Sequence, residues 1–133
     1  MIERHRRIAR IVFVVYAITL FVATHKPGVD VNVVPGIRLD LFVHASAFAV
    51  WTALLGLTGW LGDARSPRGL WMLLAVGVAY AIVDEASQAV PIFDRVFDVK
   101  DMLANSVGAV AAAIGVFCIG RVRRGAGSGA EAR

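Results

Sequence analysis

Tyr80-Ala81-Ile82-Val83-Asp84-Glu85-Ala86-Ser87-Gln88 is the stretch whose reading decides the fold. The run ahead of it, Leu70 to Val83, carries no charge, and then two carboxylates arrive side by side. The wider segment from Tyr80 to Gly108 holds five of the ten acidic residues, yet it joins two of the most apolar runs in the chain. Ionisable groups at the depth of a membrane-spanning run are costly and usually functional, which makes this segment the first candidate for a working site.

Working outward, the 133 residues make one domain. The chain is 58% hydrophobic and 18% charged, too apolar for an ordinary soluble domain. The apolar residues fall into four blocks, each close to the about 20 residues that a bilayer core requires. They are Ile8 to Thr24, Leu41 to Leu61, Leu70 to Val90 and Asp101 to Gly120. The expected fold class is all-α, a four-helix transmembrane bundle. Residues 1–7 form a polar N-terminal segment, 8–120 the membrane domain, and 121–133 a basic, Gly-rich tail expected to be disordered. Arg10 interrupts the first block near its start, where it can snorkel to the interface. A cleaved signal peptide fits less well, because Val22-Ala23-Thr24-His25 is a poor cleavage site and three further spans follow. Pro27-Gly28 and Pro35-Gly36 separate the first two spans, and Pro91 stops the third.

Basic residues sort by loop. Ten Lys and Arg lie in the N-terminal segment, the turn at Arg65 and Arg68, and the tail, whereas Lys26, Arg38, Arg95 and Lys100 lie on the other side. The excess of positive charge places both termini in the cytoplasm, as a multi-pass protein of a bacterial cytoplasmic (inner) membrane. Distributed in this way the charge is a topology signal and not a nucleic-acid footprint, so no nucleic-acid partner is expected. Cys118 is the only cysteine, which excludes a disulfide framework and a zinc-finger spacing.

The topology brings the unusual residues to one side. The third helix runs outward, and at 1.5 Å per residue Asp84 lies about 21 Å along it, near the outer edge of the core. Residues three and four apart share a helix face: Asp40 with His44, Asp84 and Glu85 with Gln88, and Asp101 with Asn105 and Gly108. Turned inward, these faces would form a polar pocket open to the outside.

Asp40-x-x-x-His44, then Asp84-Glu85-x-x-Gln88, then Arg95-x-x-Asp98-x-x-Asp101-x-x-x-Asn105-x-x-Gly108 resembles the VanZ-like family of small bacterial membrane proteins, over about Asp40 to Gly115. The family commonly has Lys after the first Asp and Pro-Gly before the Arg; this chain has Leu41 and Asp94 there. The resemblance implies a cell-envelope protein from a family named for resistance to teicoplanin-type glycopeptides, but it implies no defined reaction.

The site residues read from the pattern are Asp40, His44, Asp84, Glu85, Gln88, Arg95, Asp98, Asp101 and Asn105. Asp84, Glu85 and His44 are the candidates for acid-base chemistry, with His44 held by Asp40 one turn away. Asp84, Glu85 and Gln88 also suit a plain interhelical clasp, and Arg95 either a carboxylate partner or a phosphate. No resident cofactor is expected; the oxygen donors Asp84, Glu85, Asp98 and Asp101 would suit a divalent cation, whereas soft metal ligands are lacking. Three functions remain open. The first is binding or shielding of an anionic membrane lipid or lipid-linked cell-wall intermediate. The second is an enzyme acting on such a headgroup, and the third a proton-coupled transport or assembly subunit.

Overall fold

The computed structural model describes residues 2–26, 38–93 and 96–130, with side chains between 3 and 122 of these. Four helices follow in order: α1 (Ile2–His25), α2 (Leu39–Thr58), α3 (Pro67–Gln88) and α4 (Val99–Ala130), with a 3-10 turn at Pro91–Phe93. Within them Glu3–His25, Leu39–Thr58, Pro67–Gln88 and Val99–Val122 are long and apolar enough to cross a membrane. Among the described residues there is no strand. The chain is an all-α, multi-pass membrane protein.

Several boundaries differ from the sequence reading, each for a local reason. α1 starts at Ile2 and α4 continues to Ala130, because helical hydrogen bonding does not stop where apolar sequence does. Helix thus extends over residues 2–7 and 121–130. α2 ends at Thr58, not Leu61, because Gly59 turns left-handed (φ +73°) and closes the helix. Ser66 starts α3 by accepting a hydrogen bond from the Gly69 amide, with Pro67 in the first turn where its missing N–H costs nothing.

α2 packs against all three other helices, most extensively against α4. Small residues permit this. A Cβ on Gly108 would lie 2.9 Å from the Ala45 Cα, so α4 presses directly on the α2 backbone. Next to it along α4, Ala109 faces Gly77 of α3, which also lies against Thr52 of α2. Phe48, Leu73, Ala81 and Ala113 fill the fully buried centre, and Trp51 stacks on Tyr80 at 4.3 Å. Large apolar side chains, Val15, Phe42, Trp71 and Val107 among them, cover the outside of all four helices, as a lipid-facing surface requires.

The helices alternate in direction, so the bundle has two chemically distinct ends. At one end Arg10 donates from Nε to the carbonyl of Thr58, the last residue of α2, and Arg6 lies against Gly59. The exposed Trp60 and Trp71 are at this end too, fitting an interfacial belt. The other end collects the acids. Among the described residues it holds Asp40, Asp84, Glu85, Asp98 and Asp101 beside Lys26, Arg38 and Lys100.

Candidate functional site

The acidic end is built where α1 and α3 finish and α2 and α4 begin. Asp84, Glu85 and Gln88 lie on the inward face of the last two turns of α3 and are at most 1% exposed. Gln88 Nε2 donates to Asp84 Oδ2 and to Glu85 Oε2, both at 3.3 Å, so one amide serves the two carboxylates that helical spacing sets beside it. Glu85 Oε1 accepts from the backbone N–H of Asp98 at 2.8 Å. That bond ties the end of α3 to the residue just ahead of α4.

His44 lies on α2 facing α4. Its Nδ1 is 3.1 Å from the Asn105 side-chain amide. Its Nε2 lies 3.6 Å from Asp101 Oδ2. The carboxylate that reaches His44 is thus Asp101, across the helix interface, where the sequence suggested Asp40. Asp40 is instead gripped by Arg38: Nε lies 3.0 and 2.9 Å from its two oxygens and Nη2 2.6 Å from Oδ2. The same Nη2 is 3.7 Å from Asp101 and 3.8 Å from Asp98, so one guanidinium spans three carboxylates at the mouth. The hydrogen bond to Asp40 raises the Arg38 pKa above its ordinary value and keeps the group charged.

On the α1 side the structure adds residues that the sequence pattern did not single out. Thr24 Oγ1 donates to Asp84 Oδ1 at 3.2 Å. His25, 5% exposed, is stacked on Phe21 at 4.0 Å and meets the edge of Phe93 at 4.5 Å. Its Nδ1 is 2.8 Å from the Phe21 carbonyl, and its Nε2 is 2.8 Å from Ser87 Oγ. The Ser87 hydroxyl donates its one proton to the Asp84 carbonyl, so its oxygen accepts at the His25 Nε2 contact. Ser87 lies three residues after Asp84, and its hydroxyl is also 2.7 Å from the Asp84 carbonyl.

Eight of the nine sequence-derived site residues therefore belong to one connected group on α2, α3, α4 and the approach to α4. Arg95 is outside the described residues. Asp84, Glu85, Asp98 and Asp101 do not converge as a metal cage. Among the described residues no group of three or more His, Cys, Asp or Glu side chains is arranged to hold a metal ion. Beside the cluster, a groove of ≈ 430 Å³ lies along Leu39, Phe42, Val43 and Ser46 of α2.

Chemically, the arrangement offers an exposed guanidinium above buried acids and amides, with a histidine between Asp101 and Asn105. Such a set can hold a polar headgroup, and its histidine can relay a proton. A model of the VanZ/LLP1 family matches residues 8–120, which takes in α1 with Thr24 and His25 as well as the rest of the cluster. Neither a curated protein nor a solved structure matches the chain.

Proposed function

The chain belongs to the VanZ/LLP1 family, and on that premise we propose that it is a cell-envelope protein of the bacterial cytoplasmic membrane whose acidic end faces outward. There it binds or shields the headgroup of a phosphate-bearing (anionic) lipid or lipid-linked cell-wall intermediate. The orientation rests on the ten Lys and Arg at the other end, which favour the cytoplasm and put both termini inside. The observation that carries the reading is the inward burial of Asp84, Glu85, Gln88 and Asn105, each at most 1% exposed, just beneath an exposed guanidinium. A bundle held together by packing alone would not need two carboxylates there, since each interhelical polar contact contributes only about 0.6 kcal/mol. Arg38 takes the part of the phosphate fork. A protein that covers such a headgroup would also lower the access of teicoplanin-type lipoglycopeptides to it.

The test is lipid analysis of the purified protein beside Arg38→Ala and Arg95→Ala. A phosphate-bearing lipid should co-purify with the wild type and be depleted from Arg38→Ala. Equal recovery from all three proteins contradicts the proposal. A second reading, acid-base catalysis on a lipid-linked phosphate or sugar, is favoured by the seating of His44 between Asp101 and Asn105. In that case His44→Ala and Glu85→Gln retain the lipid and lose its turnover.

A further inference from the structure

The charge at the mouth does not suit a phosphate alone. Arg38 is the guanidinium described there, and Asp40, Asp98 and Asp101 all lie within 4 Å of its Nη2. An arriving phosphate would meet three carboxylates through one cation, and like charges in a partly dry site repel strongly.

A second, independent observation concerns unmade hydrogen bonds. Among the described residues Gln88 Oε1 and Asn105 Nδ2 are buried with no hydrogen-bond partner, and neither has Asp101 Oδ1 one, its Arg38 ion pair spanning 3.7 Å. Their residues are 0%, 0% and 9% exposed. Each belongs to a side chain tied into the cluster: Asn105 through His44 to Asp101, and Gln88 through Glu85 to the Asp98 amide. Two of the three atoms are acceptors, and a buried acceptor left unpaired is costly until an N–H or O–H reaches it.

A group that is positively charged and carries several N–H donors answers the charge imbalance and the two buried acceptors. We infer that the acidic end recognises a headgroup bearing a primary ammonium next to its phosphate, the ammonium against Asp98 and Asp101 and the phosphate against Arg38. This rests on the headgroup-binding reading above and replaces a net-anionic headgroup by a zwitterionic one. A trimethylated ammonium has the charge without the donors, and a glycerol headgroup has donors without the charge, so each isolates one half of the recognition.

The full chain, purified in detergent, is offered equimolar phosphatidylethanolamine, phosphatidylcholine and phosphatidylglycerol with identical acyl chains, and bound lipid is read by native mass spectrometry. Phosphatidylethanolamine should be retained roughly tenfold over each of the others, the worth of one charge-assisted hydrogen bond. Asp98→Asn and Asp101→Asn should each erase that preference, and Arg38→Ala should weaken all three lipids. Asp98, the more exposed acid, provides the variant least prone to unfolding, and its thermal midpoint is recorded alongside. Equal retention of the three lipids, or preference for phosphatidylglycerol or phosphatidylcholine, overturns the ammonium site while leaving headgroup binding in place. Retention of none of them overturns both.

Discussion

Replacing Gly108 by alanine should force α4 away from α2 at the point that holds His44 against Asn105. The new Cβ would lie 2.7 Å from the Ala45 carbonyl carbon and 2.9 Å from its Cα, whereas ordinary contact begins at 3.4 Å. The Ala45 carbonyl oxygen lies nearer still, and backbone cannot rotate aside as a side-chain tip can, so the helices must separate at this position. Asn105 lies one turn before Gly108, and His44 is the residue next to Ala45. The same displacement lengthens their 3.1 Å contact beyond hydrogen-bonding range. Overpacking costs about 1–3 kcal/mol, and one interhelical hydrogen bond adds about 0.6 kcal/mol. The expected loss is therefore about 2–4 kcal/mol. It is measured by unfolding in mixed micelles with the fluorescence of the three tryptophans as readout. Gly115→Ala on the same helix is the control, because nothing lies within 4 Å of a Cβ there. The reasoning is refuted if Gly108→Ala unfolds like the wild type, or if Gly115→Ala is equally harmful.

Three further outcomes follow from the geometry. A double-mutant cycle on His25→Ala and Ser87→Ala should give a coupling of about 0.6–1.7 kcal/mol, and additive effects would remove the α1–α3 tether from the account. Gln88→Leu keeps the volume but strips the amide shared by Asp84 and Glu85, so it should destabilise by about 1–3 kcal/mol or more; wild-type stability in that variant would mean the carboxylates are satisfied elsewhere. A reporter joined after residue 133 should be active only in the cytoplasm, and activity outside the cell would invert the proposed orientation.

The spans were legible because four apolar blocks of bilayer length leave few alternatives. The facing pairs within α3 were legible because helical spacing alone puts Gln88 beside Asp84 and Glu85. Contacts between helices were not, since they depend on relative rotation and depth. His44 could have met Asp40 on its own helix as readily as Asp101 on α4 until the Gly108–Ala45 contact fixed how α4 sits. His25 and Thr24 stand where an apolar span runs into a loop, and no periodicity marks a functional face there. Ser87 looked like an ordinary helical serine bonding back to its own turn, which it also does. Arg38 was counted only as a loop cation, and nothing in the sequence says that its guanidinium reaches three acids. The end of α2 was missed because Leu57-Thr58-Gly59-Trp60-Leu61 stays apolar through the glycine that stops the helix.

The central claim is that polar side chains from separate helices meet at one end of a membrane bundle, and mercury cross-linking in native membranes tests it most directly. With Cys118 changed to serine, cysteines replace His44 and Asn105, whose side chains now lie 3.1 Å apart. The account predicts efficient S–Hg–S bridging between helices at this pair and none between His44→Cys and Val116→Cys, three turns further along α4. Failure to bridge positions 44 and 105, or equal bridging to 116, would contradict it.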